Sequence, residues 1–187
     1  MRRKLVVGSR GSRLALIQAE FVVAGIRQAN PDIDISLREI VTSGDRERRT
    51  QLDRIGPSVF VKELEEALLK GRIDVAVHSL KDLPTEIPQG LCLLAVTERI
   101  DPRDVLIAKS KLDKLTPGSR IGTGSLRRTV QLGRCRPDLQ ACPIRGNIDT
   151  RLRKVAEGEL AGVILAAAAM QRLGWEDEIC LLYTSPS

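Results

Sequence analysis

Short apolar runs that end in glycine, serine or arginine and pass straight into helical periodicity recur along these 187 residues. That alternation limits the possible folds more than any other feature of the chain. Leu5-Val6-Val7 runs through Gly8-Ser9-Arg10-Gly11-Ser12 into a helix with Leu14, Ile17, Phe21 and Ile26 on one face. Asn30-Pro31-Asp32 is a turn before a strand at Ile33 to Val41, and a helix from Phe60 to Lys70 turns Val61, Leu64 and Leu68 inward before Gly71 ends it. Strands are expected again at Ile73–Val77 and Leu91–Val96. Beyond the charged, proline-bearing segment Glu98–Arg103 the pattern repeats. Strands fall at Val105–Ala108, Arg120–Gly122, Leu139–Ile144 and Val163–Ala166, with helices from Ser125 and over Asn147–Glu157. The expectation is an α/β fold with layered, mostly parallel sheets, in two lobes over 1–98 and 99–179, followed by an unmatched tail over 180–187.

Composition narrows the class. Hydrophobic residues make up 42% and charged residues 29%, enough apolar material for a core, but aromatics are only 2%, so that core must be aliphatic. No apolar run approaches the roughly 18 residues of a membrane span, and Met1-Arg2-Arg3-Lys4 leads into a strand rather than a signal-peptide core, so a cytoplasmic location is expected. Cys92, Cys135, Cys142 and Cys180 lack C-x-x-C spacing and there is one histidine, which argues against a zinc site or a disulfide framework. Cys92, inside Leu91-Cys92-Leu93-Leu94, reads as a buried thiol. Of 30 basic residues 22 are arginine, and the net charge is +6. Arginine's planar fork pairs with carboxylate and phosphate, so this bias points to an anionic ligand or a nucleic acid, and scarce aromatics weigh against single-strand binding.

The candidate chemistry sits where strands end. Ile73 to Pro84 passes from a β-branched run to His78-Ser79-Leu80-Lys81-Asp82 before a proline stops regular structure. At the carboxyl end of a strand in an open sheet, Lys81 and Asp82 would face a ligand, although an exposed charge pair on a solvated loop is the simpler reading. Ser12 as an N-cap and Arg10 make a small anion-binding corner. Gly122-Thr123-Gly124-Ser125-Leu126-Arg127-Arg128 offers flexible backbone, helix amides and two arginines, and Arg145-Gly146-Asn147 with Arg151 repeats the arrangement. The alternative for each is a capped helix with solvated arginines. One carboxylate among many cations suits a site that binds a polyanion and keeps one acid for proton transfer. Thr42 to Ser58, rich in Gly, Arg, Asp and Glu, reads as an exposed, mobile loop of the kind that closes over ligands.

Six motifs, in order and spacing, resemble the porphobilinogen deaminase (hydroxymethylbilane synthase) family. They are Gly8-Ser9-Arg10-Gly11-Ser12 with Leu14 to Ala19, Val59 to Glu65, Asp74 to Pro84, Arg99 to Asp104, Gly122 to Arg128 and Arg145 to Arg151. The resemblance covers about Leu5 to Ile179. It implies two periplasmic-binding-protein-like type II lobes with the active site in the cleft between them, and a third domain that this chain lacks. It implies an enzyme that joins four porphobilinogens into hydroxymethylbilane with release of ammonia, on a covalent dipyrromethane cofactor whose attachment cysteine is absent from this sequence. Asp82 would be the catalytic acid that protonates the departing amine and stabilises the resulting cation. Arg10, Ser12, Lys81, Arg127, Arg128, Arg145 and Arg151, with Gly146, would hold acetate and propionate groups, joined by Gln18, Ser79, Ser125 and Arg172. The partners implied are porphobilinogen and the growing oligopyrrole, bound by a monomer with no nucleic acid, membrane or metal.

The chain departs from the family pattern where Ile55-Gly56-Pro57-Ser58-Val59 replaces a Gly-Gly-Lys-Gly run, and where Gly124 replaces a common serine. Two other classes of function compete. One is a non-catalytic two-lobe module that binds a small polycarboxylate without needing Asp82. The other is a nucleic-acid binder driven by net charge, with steep salt dependence.

Overall fold

The computed structural model describes residues 4–42 and 61–183, and the chain divides into two compact units, 1–98 and 99–187. Unit 1 contains β1 (Lys4–Ser9), α1 (Arg13–Ala29), β2 (Asp34–Glu39), α2 (Lys62–Leu69), β3 (Val75–Ala76) and a 3₁₀ turn at Leu80–Asp82. Its sheet has the order β2-β1-β3, with both neighbours parallel to β1. Successive β1 side chains serve opposite faces. Val7 packs with Val23 of α1 and Ile35 of β2, and Val6 joins Leu64 and Ala67 of α2 and Ile73.

Two expectations for unit 1 fail. On α1 Ala19 and Val23 are buried and Ile26 packs against the Val7–Val23–Ile35 cluster, whereas Phe21, expected on the same face, is 64% exposed. The strand expected at Leu91–Val96 is not formed, and Cys92 is exposed, as are Leu93, Leu94 and Val96. An apolar run becomes a strand only against a free hydrogen-bonding edge, and residues 92–100 make no backbone hydrogen bond to any described residue. Of the loop expected over Thr42–Ser58, only Thr42 is described, and it is fully buried.

Gly8 is fixed by packing. A Cβ there would collide with Ile73 Cδ1 and press on Leu64 Cδ2 at 3.3 Å. Gly8→Ala is therefore expected to lower stability by about 1–3 kcal/mol, checked by chemical denaturation. A change within error would show that the Ile73 side chain can rotate away.

Unit 2 contains β4 (Asp104–Ala108), β5 (Arg120–Gly122), α3 (Leu126–Cys135), β6 (Gln140–Cys142), α4 (Ile148–Ala156), β7 (Gly162–Ala166), α5 (Ala167–Leu173) and β8 (Leu181–Tyr183). The sheet order is β6-β5-β7-β4-β8. β5 runs parallel to β6 and β7, whereas β4 is antiparallel to β7 and β8. Val105 and Ile107 pack with Val155, Val163, Leu165 and Met170 on one face, and Leu106 packs with Ile121, Leu132 and Leu139 on the other. The tail over 180–187, expected to match no element of the fold, joins the sheet in part. Leu181, Leu182 and Tyr183 pair with Leu106, Val105 and Asp104. Both units are α/β, the first with an all-parallel sheet and the second with a mixed one, so that the strand pairs of the chain are mostly parallel, and no described helix is long and apolar enough to cross a membrane.

Candidate functional site

In unit 1 the carboxyl ends of parallel β1 and β3 share one sheet edge, which carries Arg10, Ser12 and the segment His78–Asp82. Ser12 is extended and caps α1, its Oγ accepting from the Ala15 amide at 3.4 Å. The first turn of α1 has no acid of its own, so its amides keep their positive character. The Glu39 carboxylate lies over Gly11, where an added Cβ would collide with it, so a carboxylate of the chain already rests on this corner. Ser79 Oγ donates to Gln18 Oε1 at 3.0 Å, tying α1 to the end of β3. The turn that follows is closed by the Asp82 amide on the Ser79 carbonyl at 2.9 Å, and it leaves Asp82 half-buried and Lys81 exposed.

His78 was not singled out from sequence, yet it is charge-coupled to this group. Burial pushes its imidazole pKa below the ordinary value, Asp82 opposes that shift and Arg10 reinforces it. A histidine held neutral in the fold binds its proton more readily when unfolded, so unit 1 keeps this contribution above the unfolded pKa of about 6.5 and loses it as pH falls toward the folded value. The expected slope in that window is at most about 1.4 kcal/mol per pH unit, and it should be absent in His78→Gln. Denaturation curves between pH 7 and pH 5 check it (~2 pH units); identical slopes in the two proteins would remove His78 from the account.

Unit 2 presents a corresponding edge at the carboxyl ends of β5, β6 and β7. Because β4 is antiparallel, its first residue, Asp104, lies at the same edge, opposite Ala166. Asp104 is only 2% exposed, and two arginines converge on it. Arg128 donates from Nε and Nη2 to Asp104 Oδ1 at 3.1 and 2.8 Å, and from Nη1 to the Ile164 carbonyl at 3.2 Å. Arg127 Nη2 stands 2.8 Å from Asp104 Oδ2, while Arg127 Nη1 donates to Gln131 Oε1 at 3.0 Å. Both arginines expected to face a ligand are thus engaged with an acid of the chain. Asp104 had a sequence signal, an acid opening the apolar run Val105–Ala108, but only the strand pairing shows which side chains meet it.

At the next junction Arg145 is exposed, Gly146 adopts φ +95°, and Arg151 Nε donates to the Gly146 carbonyl at 2.9 Å. The left-handed Gly146 turns that carbonyl back to the guanidinium, a conformation that side-chain-bearing residues rarely adopt. Burial, then the like charge of Arg128, lowers the Arg151 pKa, and no described carboxylate opposes the effect. Ser125 and Asn147 occupy N-cap positions without making side-chain caps, and Ser125 N donates to Thr123 Oγ1 at 3.2 Å. Arg172 lies in the last turn of α5 rather than at a strand end, half-buried, with its pKa lowered by burial.

Two further expectations change. Gly122 is glycine for the core, since a Cβ would stand 2.7 Å from Leu160 Cδ1 and 3.0 Å from Val163 Cγ1, not to admit a ligand. Cys142, for which the sequence offered no partner, closes β6 opposite Gly122 and accepts from Arg120 Nε at 3.4 Å. The Ile55–Val59 departure lies outside the described residues, and among those described no cluster of His, Cys, Asp and Glu could hold a metal.

The family described as "Porphobilinogen deaminase, dipyromethane cofactor binding domain" matches residues 5–186, including the tail that sequence reading left unmatched. The chain is 51% identical over 176 residues to porphobilinogen deaminase from Syntrophus aciditrophicus, covering 92% of this chain and 58% of that protein. It is 49% identical over 174 residues to the Pelobacter propionicus protein of the same name, covering 92% and 56%. It therefore spans less than two thirds of these relatives. Among solved structures, the methionine binding protein MetQ aligns with a TM-score of 0.58 at 16% identity, covering 98% of this chain and 79% of that one. The OxyR2 regulatory domain from Vibrio vulnificus aligns at 0.55 and 20% identity, covering 100% and 82%. At such identities the likeness shows the fold alone, that of periplasmic-binding-protein-like type II lobes.

Proposed function

This chain belongs to the porphobilinogen deaminase family, and from that premise we propose that it supplies the acid and the carboxylate-binding residues of a hydroxymethylbilane synthase. The observation that carries the reading is Arg151, a half-buried guanidinium destabilised by burial and by Arg128, with no described carboxylate to balance it. A cation so placed is stabilised by an anionic ligand, and pyrrole acetate and propionate groups are anions of that kind. The donor set therefore fits dipyrromethane, which supplies, when bound, the pyrrole terminus to which the first porphobilinogen is joined.

Asp82 donates a proton to the amine as the carbon–nitrogen bond of porphobilinogen breaks, the bonding pair leaving with nitrogen as ammonia. Its carboxylate then faces the cation left on the substrate carbon. Arg10, Ser12 and the amides of α1 bind carboxylate in unit 1, positioned by the Ser79–Gln18 hydrogen bond, with Lys81 adding charge. Arg127, Arg145 and Arg151 do so in unit 2, with Ser125 and Gly146 at the same junctions and Arg172 as a further carboxylate-binding residue. The protein acts as a cytoplasmic monomer without nucleic acid or membrane. The cofactor's cysteine lies outside these 187 residues; Cys142, nearest in sequence to an arginine junction, is engaged with Arg120.

The test joins this chain to the part of the Syntrophus aciditrophicus protein that it does not match and supplies porphobilinogen. Ammonia and bilane should form in the fusion, while the 187-residue chain alone keeps an unmodified intact mass and forms none. A folded fusion that binds polycarboxylates but releases no ammonia would instead support the non-catalytic binding module. A two-pyrrole mass increase on any of the four cysteines would overturn the assignment of the cofactor.

A further inference from the structure

The edge of unit 2 away from the arginine junctions holds a second concavity. Because β4 runs antiparallel to β7, its last residue, Ala108, stands opposite Gly162, and the chain then turns over the starts of β5 and β7. Between those turns and the end of α4 lies a cavity of about 500 Å³. Leu115, Val155 and Leu160, all buried, form its apolar lining, and the exposed Lys109, Lys114 and Arg120 line it as well. Among the described residues Glu159 is the one acid on its wall, and Glu159 Oε2 already accepts from Lys154 Nζ at 2.6 Å. Of the acids on the neighbouring loops, Asp138 pairs with Arg136 at 2.6 Å, and Asp113 adds its charge to the same guanidinium. The three cations of the cavity are lightly engaged. Lys109 Nζ reaches the Ala156 carbonyl at 3.5 Å, Arg120 uses Nε on Cys142 Sγ at 3.4 Å and keeps both Nη groups, and the Lys114 ammonium has no partner among the described residues.

We propose that this cavity binds a small phosphate monoester, with the phosphate held by Lys109, Lys114 and Arg120 and the organic body laid on Leu115, Val155 and Leu160. A phosphate monoester carries about −1.5 to −2 charges at pH 7 and three acceptor oxygens, so one group answers most of a three-cation surplus that a single carboxylate would leave standing. Lysine suits it, being a compact point charge with three rotatable donors and no planar fork to match a carboxylate. The hydroxyls of Ser110 and Thr116, also on the wall, supply neutral donors. The cavity is larger than a bare phosphate needs and lies in the size range of small-molecule sites, and its buried aliphatic floor favours an apolar body over water. It shares no residue with the arginine junctions, and so is independent of the family reading.

The test is an amide ¹H–¹⁵N spectrum of the ¹⁵N-labelled chain, titrated at constant ionic strength with phenyl phosphate, inorganic phosphate and benzoate in turn. Phenyl phosphate should shift the Ser110, Ser119 and Leu160 amides saturably. Inorganic phosphate, with no body to bury, and benzoate, with a single charge, should each bind about tenfold more weakly at those amides. Lys114→Gln should weaken phenyl phosphate there by roughly three- to tenfold, while any response at Ser12 or Arg145 stays as it was, and Lys114→Arg should keep the affinity. Lys109 and Lys114 are exposed, so the melting temperature should not change in either variant. No saturable shift at these amides with phenyl phosphate, or unaltered binding when Lys109→Gln and Lys114→Gln are combined, would overturn the site. Benzoate binding as tightly as phenyl phosphate would overturn the choice of phosphate, and equal affinity for phenyl phosphate and inorganic phosphate would overturn the role of the apolar floor.

Discussion

In the full-length fusion, Asp82→Asn is expected to cut porphobilinogen turnover by about 10²–10⁴-fold while leaving the melting temperature nearly unchanged. The amide keeps the shape of the carboxylate and leaves intact the backbone bond from Asp82 N–H to the Ser79 carbonyl at 2.9 Å, so the 3₁₀ turn should hold. What disappears is the transferable proton and the negative charge that balances the cation. The same substitution has a second signature, because Asp82 raises the His78 pKa against burial and Arg10. Its loss should move the His78 titration midpoint further down, visible in the imidazole proton shifts. Near-normal turnover with the midpoint displaced would mean that Asp82 is present but is not the acid.

Arg128→Leu is expected to cost about 3–5 kcal/mol of stability, because it leaves the Asp104 carboxylate buried without its aligned partner. The neighbouring substitution, Arg127→Leu, should cost less, because Arg128 still donates both of its hydrogen bonds to Asp104 Oδ1. The two differ by one position in sequence and by 12% against 50% side-chain exposure in the structure. Urea denaturation of both variants measures the gap. Equal losses would show that Asp104 is held by the two arginines as a unit.

The sequence by itself determined the α/β class, the position of most strands and helices and the junctions that carry charge. These follow from local rules: the period of apolar residues, Ser12 at a helix start and Gly71 at a helix end, all written in neighbouring residues. Arg10, Lys81, Asp82, Arg127 and Arg145 were legible as site candidates because polar residues after a strand have few other reasons to be there. What the tertiary structure alone decided is non-local. Whether Leu91–Val96 forms a strand depends on pairing with an edge, not on its own apolar character, and it pairs with none among the described residues. Leu181–Tyr183 does find an edge, on β4. The antiparallel entry of β4 brings Asp104 beside Arg127 and Arg128, across 23 and 24 positions of sequence, and so engages both expected ligand clamps with an acid of the chain. Charge pairing across a sheet depends on strand direction and register, and neither is encoded within the segments that it joins.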